Sequence, residues 1–293
     1  MTSLTRFAPA PTGYLHLGHV VNALYVWGWG RAQGADVLLR IEDHDRQRAR
    51  PAYERAILDD LDWLGFRPDR YPTSAFRHGP CESRQSDREA IYRRFAAALI
   101  ARGLVYGCTC TRQDLVRMHS DDAASTEARV YRGTCRDRGI APGDHVAWRL
   151  RIEDTIERFD DMLCGPCEQR PAREHGDIVI RDRHGNWTYQ FAVTVDDYDQ
   201  AIDLIIRGRD LLASTGLQIS LGRLIGRAAP ARFAHHALIM KSPTQKLSKS
   251  DRDAGVRDLR AAGWPAEKIL DEAKAILPAS LRTALQAAAR PHP

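Results

Sequence analysis

The run Pro9-Ala10-Pro11-Thr12-Gly13-Tyr14-Leu15-His16-Leu17-Gly18-His19 sets two imidazoles three residues apart. At a helix start they share one face beside unpaired backbone amides and a partly positive helix end, a setting suited to the phosphates of ATP. Gly13 and Gly18 let a ligand approach the backbone closely, with Thr12 in the same turn. Two histidines that merely satisfy backbone groups are the ordinary alternative, so the pair alone decides nothing. Far downstream lies Lys246-Leu247-Ser248-Lys249-Ser250. Two ammonium groups in such a loop can follow phosphate oxygens as charge builds during phosphoryl transfer. Of 43 Lys and Arg residues only five are lysines, and Lys241, Lys246 and Lys249 cluster among them. A compact mobile ammonium is wanted there, unless the segment is simply a solvated loop.

Six cysteines supply a third candidate: Cys81, Cys108, Cys110, Cys135, Cys164 and Cys167. Close pairs such as Cys108-Thr109-Cys110 and Cys164-Gly165-Pro166-Cys167 suggest metal or redox chemistry before disulfides in a chain of this size.

These groups need elements to hold them. Leu4 to Ala8 reads as a strand broken by the Pro/Gly turn, and Tyr14 to Ala32 runs apolar at helical spacing. Val37 to Glu42 reads as a second strand, followed by an acidic turn and a helix from about Ala52 to Leu64. That order is the grammar of a parallel sheet. A helix at Ser86 to Arg102 precedes an irregular stretch from about Cys108 to Glu174, taken as an insertion. Strands are expected again at Asp177 to Ile180, Tyr189 to Val195 and Ala201 to Ile206, then a helix at about Leu211 to Arg227.

The 293 residues are 43% hydrophobic and 28% charged, which excludes disorder, collagen and a bare disulfide scaffold. No apolar run approaches the roughly 18–20 residues of a membrane span, and Met1 to Ala10 has no secretory signal pattern, so a cytoplasmic protein with no membrane partner is expected. A net charge of +5 permits a polyanionic partner without requiring one.

The histidine and lysine signatures together resemble those of class I aminoacyl-tRNA synthetases. Around them, Arg6-Phe7-Ala8-Pro9-Ala10-Pro11-Thr12-Gly13, Arg40-Ile41-Glu42-Asp43, Tyr189-Gln190-Phe191-Ala192-Val193 with Asp196-Asp197, and Ile206-Arg207-Gly208-Arg209-Asp210 are similar to glutamyl-tRNA synthetases, over about residues 5 to 250. The resemblance implies that Arg6 and Arg207 grip the acidic amino acid, that Glu42 faces its α-ammonium, and that Tyr189 lines the pocket beside Phe7, Ala8, Pro9 and Ala10. It assigns catalysis to His16, His19, Lys246 and Lys249, and ATP binding to Thr12, Gly13, His16, Gly18, His19 and Lys249. A guanidinium pairing with a carboxylate and a carboxylate meeting an ammonium are sound chemistry on their own, although Arg6 and Glu42 could also be a plain ion pair. Ala10 and Gln190 stand where the family shows Ser and Asn.

Few residues follow Lys249, and tRNA-charging relatives continue there into a helical anticodon-binding domain. The chain in this respect resembles the glutamyl-Q tRNA(Asp) synthetases, a truncated branch of the family, which implies activation of L-glutamate with ATP and Mg²⁺ and its transfer to queuosine in the anticodon arm of tRNA(Asp). A minimal enzyme charging the tRNA 3′ end is the alternative. The branch also implies one structural zinc at Cys108, Cys110, Tyr131 and Cys135. Three thiolates are good zinc ligands and a phenol an unusual one, so His119, Cys81 and the Cys164/Cys167 pair compete for the fourth place. The expected fold is α/β: a Rossmann-type catalytic core in two halves, residues 1–107 and 176–240, split by a zinc-bearing insertion at 108–175. The lysine loop and a short helical tail occupy 241–293, with no anticodon-binding domain, and the protein is expected to be a monomer.

Overall fold

The computed structural model describes residues 2–111, 113–114, 130–131, 133–238, 240–242, 245–246, 255–279 and 281–282. Strand β1 (Ser3–Phe7) runs parallel to β2 (Ala35–Leu39), with Arg6 opposite Leu38 and Phe7 opposite Leu39. A three-stranded antiparallel unit follows from β3 (Val105–Cys108), β4 (Ala147–Leu150) and, after the β5–β6 hairpin, β7 (Ile178–Arg181). The hairpin pairs β5 (Glu157–Asp161) with β6 (Gly165–Gln169). Strand β8 (Leu204–Gly208) runs parallel to β9 (Arg232–His236), and β5 meets β9 at Asp161 and Phe233.

Between β1 and β8 the Asp203 amide donates to the Leu4 carbonyl at 3.1 Å, and the Arg6 guanidinium donates to the Ile206 carbonyl at 3.3 Å. Alternation then sorts the side chains of β2, β1, β8 and β9 onto two faces. Phe7, Val37, Leu39, Leu204, Ile206 and Ala234 enter one core, with the helices Leu17–Leu24, Pro51–Leu64 and Ala266–Ile276. Leu4, Leu38, Ile205 and Phe233 enter the other, with Ile219 of the helix Thr215–Leu224. Two parallel strand pairs, β1–β2 and β8–β9, are thereby joined along this seam and covered on both faces. The first helical run is not uniform: Leu17–Leu24 passes into a π turn at Tyr25–Trp29 and a last turn at Gly30–Ala32. A Cβ on Gly30 would stand 3.2 Å from Ile206 and 3.3 Å from Thr5, so the missing side chain lets this run cross the strands closely.

Two expectations are corrected. Tyr189–Asp199 is a helix and not a strand. All residues from Phe191 to Asp197 are buried, so no polar stripe marks the helical period, and a short apolar run does not separate helix from strand. Residues 108–175 are not irregular throughout either: β4 extends the antiparallel unit, and the β5–β6 hairpin adds to the edge of the β8–β9 pair. Turn-rich composition there reflects the tight hairpin at 162–164 rather than loss of regular structure. Among the described residues no helix is long and apolar enough to cross a membrane.

The hairpin of β10 (Met240–Ser242) and β11 (Gln245–Lys246) leads to residues 247–254, outside the described set. The chain then packs back, since Ile269, Ala273, Leu277 and Leu281 belong to the first core. Facing this return, Asp60 is buried on the helix Pro51–Leu64, its Oδ2 without a hydrogen-bond partner among the described residues. Burial pushes its pKa up to about 6, while Arg260 and Arg257 pull the other way. A carboxyl raised in the folded state stabilises fully below its unfolded value and loses that contribution as the pH rises through the folded one. Asp60→Asn should therefore match the unmodified chain near pH 4 and exceed its stability by about 1–3 kcal/mol near pH 8, read from urea unfolding at both.

Candidate active site

Two backbone bonds bring the first arms of the site together. The Arg40 amide donates to the Phe7 carbonyl at 3.0 Å and the Glu42 amide to the Pro9 carbonyl at 3.1 Å, so the chain leaving β1 stays alongside the chain leaving β2. The Phe7 ring itself turns into the core against Trp27, ring centres 5.2 Å apart. Ala8 to Ala10 line the strand exit, and Thr12 closes a turn by donating its amide to the Ala10 carbonyl at 2.8 Å. Gly13 follows in that turn.

Beneath this floor lies a buried ion network. Asp197 accepts from Arg6 Nε at 3.0 Å and from Arg40 Nη2 at 2.8 Å. Arg40 also donates twice to Glu42 Oε1, at 3.0 and 3.2 Å, and once to Gln200 at 3.1 Å. Asp196 accepts from Arg88 at 2.7 Å, Gln85 at 2.8 Å and Tyr92 at 3.0 Å. Burial alone would lower the Arg40 pKa and raise that of Asp197; their mutual charges, with Arg6, Glu42 and Asp196, hold Arg40 above and Asp197 below the ordinary values. Asp196, Asp197 and Arg40 carry much of the positioning and received no role from the sequence. Two carboxylates inside an otherwise apolar run were the signal, because buried charges require partners.

Above it, Arg6, Glu42, Tyr189 and Arg207 share one electrostatic environment. The half-buried Tyr189 phenol is pushed up to about 12 by burial and then by Glu42, with Arg207 and Arg6 pulling down. Arg207 is 4% exposed and, among the described residues, no carboxylate makes an ion pair with it. Its partners are neutral: His235 at 2.9 Å, Gln218 at 2.7 Å and Thr215 at 2.9 Å. Burial accordingly lowers its pKa. An unneutralised buried guanidinium is a receptor for an anion.

The histidine pair caps the helix Leu17–Leu24 reciprocally. His16 Nδ1 accepts from the Gly18 amide at 3.0 Å and His19 Nδ1 from the His16 amide at 3.1 Å, with ring centres 3.9 Å apart. Because each Nδ1 accepts, each neutral ring carries its proton on Nε2. Gly255 bridges to His16 and the Val256 amide donates to the Leu15 carbonyl at 2.8 Å, so the chain following Lys249 returns to this turn. Lys249 lies outside the described residues; Lys246 is placed by its backbone in β11.

Apart from the pocket, Cys108, Cys110 and Cys135 converge, with all three sulfurs within 4.8 Å of one another, and can hold a metal ion. The Tyr131 oxygen is 3.6 Å from Cys108 Sγ and accepts from the Cys135 amide at 2.8 Å. Burial pushes Cys110 up to about 12, and although burial also acts on Cys135, hydrogen bonds from Thr109 and its neighbours bring it down to about 7. Cys81 sits in the first core, Cys164 closes the β5–β6 turn, Cys167 lies on β6, and His119 lies outside the described residues.

A covered parallel sheet whose first strand opens through a Pro/Gly turn into a histidine-capped helix, beside a pocket of opposed charges, is the build of a nucleotide-using catalytic domain. Residues 3–274 match the family described as tRNA synthetases class I (E and Q), catalytic domain, and the chain belongs to this family of ligases. It is 36% identical over 273 residues to glutamate–tRNA ligase 2 of Syntrophus aciditrophicus, covering 91% of this chain and 55% of that protein. With the glutamyl-Q tRNA(Asp) synthetase of Rhodobacter capsulatus it shares 38% over 276 residues, 89% of this chain and 95% of that one. A glutamate tRNA ligase from Elizabethkingia meningosepticum, solved with its amino acid, superposes with a TM-score of 0.72 at 31% identity, covering 90% of this chain and 54% of that one. The chain thus spans about half the length of the matched glutamate–tRNA ligases.

Removing Asp197 leaves the buried Arg6 guanidinium with no carboxylate partner among the described residues and takes one of its carboxylates from Arg40. Asp197→Ala should cost about 3–5 kcal/mol of unfolding free energy in a denaturant titration, far more than a surface charge deletion.

Proposed function

We propose that the chain activates L-glutamate with ATP to glutamyl-adenylate and transfers the glutamyl group to the queuosine base in the anticodon arm of tRNA(Asp). The observation that carries the first half is Arg207, buried without a carboxylate partner among the described residues and sharing its surroundings with Arg6, Glu42 and Tyr189. Arg207 and Arg6 would hold the side-chain carboxylate, and Glu42 the α-ammonium, leaving the α-carboxylate directed toward the Thr12–Gly13 turn. The Nε2–H donors of His16 and His19 and the positive helix end suit the ATP phosphates, with Gly18 giving the backbone room. Lys246 and Lys249, with Mg²⁺ accompanying ATP, would meet the charge that develops as the glutamate α-carboxylate displaces pyrophosphate in line from the α-phosphorus. No protein nucleophile is needed. In the second step a hydroxyl of the modified nucleoside attacks the mixed anhydride and releases AMP. Support for queuosine as acceptor comes from relatives named glutamyl-Q tRNA(Asp) synthetase, 38% identical and matched over 95% and 83% of their lengths. The protein is proposed to act in the cytoplasm as a monomer.

The sulfur cluster fits zinc. Donors about 2.3 Å from a tetrahedral zinc stand roughly 3.8 Å from one another, close to the 3.5 Å between Cys110 and Cys135 and the 3.6 Å between Cys108 and Tyr131. Such a zinc would supply a structural crosslink between the end of β3 and the Tyr131–Cys135 turn. Metal analysis of the purified protein should find one zinc, largely lost in Cys135→Ser and kept in Cys164→Ser; the reverse pattern would move the site to the Cys-x-x-Cys turn.

Glutamate-dependent ATP–pyrophosphate exchange should appear with the protein alone. Labelled glutamate should then pass to queuosine-containing tRNA(Asp) and survive selective periodate destruction of the 3′-terminal diol. Transfer that needs an intact 3′ end, or that ignores queuosine, would make the chain a glutamate–tRNA ligase of the kind its other relatives represent.

A further inference from the structure

The two arginines of the pocket are held in opposite ways. Arg6 is paired directly with the Asp197 carboxylate, whereas among the described residues Arg207 reaches a carboxylate only through an imidazole. A guanidinium can only donate, and this fixes the tautomer of His235 and the orientation of the Gln218 amide. Arg207 Nε donates to His235 Nε2, so that nitrogen must offer its lone pair and the ring proton must sit on Nδ1. Nδ1 then donates to Asp161 Oδ2 at 2.6 Å. Asp161 is itself clamped, since its Oδ1 accepts the amides of Leu163 at 3.0 Å, Cys164 at 2.8 Å and His235 at 3.2 Å. On the other side Arg207 Nη1 turns the Gln218 oxygen toward itself. The Gln218 amide therefore donates to Gln190 at 2.8 Å, and Gln190 in turn to Ser214 at 2.9 Å.

We propose that Asp161 and His235 are positioning residues that aim Arg207 while leaving its charge for the ligand, so that the pocket prefers a carboxylate side chain over the isosteric carboxamide. This rests on the reading of Arg207 as a carboxylate receptor. A carboxylate placed directly on Arg207 would fix its direction equally well but would neutralise it, and an amide could then bind almost as favourably. A neutral imidazole supplies the direction without the cancellation, and Asp161 supplies the tautomer. Burial keeps His235 neutral against the pull of Asp161, with Arg207 and Arg6 adding to the effect of burial. Asp161 is held down at about 2, so it stays an acceptor. The hairpin turn at Cys164 thereby bears on the amino-acid site, a link that the strand order alone would not suggest.

The test uses the full chain and pyrophosphate exchange with glutamate or glutamine. His235→Phe, which removes the acceptor, should raise the glutamate KM roughly tenfold or more, the scale of a hydrogen bond to a charged group, and narrow the glutamate-to-glutamine preference. The ATP KM should not move. His235→Gln, whose carbonyl can accept where Nε2 does, should recover most of the loss. Nitrogen-15 histidine spectra of the unmodified protein give a reading that no variant can spoil by misfolding: His235 should be neutral with its proton on Nδ1. An Nε2-protonated or doubly protonated ring, or an unchanged glutamate KM in folded His235→Phe, would overturn the positioning role alone. Absence of glutamate-dependent exchange in the unmodified protein would overturn the pocket reading itself, and the role with it.

Discussion

Asp197 is the constraint on which the pocket depends. It lies on a helix from the second half of the chain, yet its carboxylate is shared by Arg6 of the first strand and Arg40 just beyond the second. Among the described residues it is the one carboxylate paired with Arg6, and the cost of stripping water from a charge is recovered only through close, well-directed partners. Arg40 passes the constraint on to Glu42, and Asp196 passes it to Arg88, Gln85 and Tyr92. Two carboxylates adjacent in sequence thus lock a helix to two strands and to the helix Glu89–Ala101. Specificity of arrangement, more than net stability, is what such a network contributes.

Electrostatic asymmetry within the pocket follows from that arrangement. One arginine arrives already neutralised and the other does not, so the field felt by a ligand is set chiefly by Arg207. The surrounding acceptors are neutral and fully engaged, which leaves little freedom for the guanidinium to reorient when a ligand departs. Preorganisation of this kind concentrates binding energy on whatever anionic group a ligand brings.

Much of this was legible in the residues. The strand, Pro/Gly turn and histidine-bearing helix follow directly from local pattern, as does the second strand, although it was read from Val37 to Glu42 and spans Ala35–Leu39. The cysteine trio could be grouped by a resemblance, but that its three sulfurs converge became visible only where the end of β3 meets the turn at Cys135. Tyr189–Asp199 was misread because a helix surrounded on all sides shows no amphipathic period. Residues such as Asp161, His235 and Gln218 could not be assigned from sequence. Their importance comes from bonds spanning tens of residues, and nothing in an apolar strand ending in His235-His236 tells a packed imidazole from one that orients an arginine.

The bridge between Gly255 and His16 has a further consequence, one of polymer statistics. Lys249 is six residues from Gly255, so its backbone lies no more than about 20 Å along the chain from the histidine turn. Covalent length alone thus sets an upper limit on the distance between the two signatures, whatever conformation lies between them. Inserting residues between Lys249 and Gly255 would raise that limit without altering a single side chain at the histidine turn.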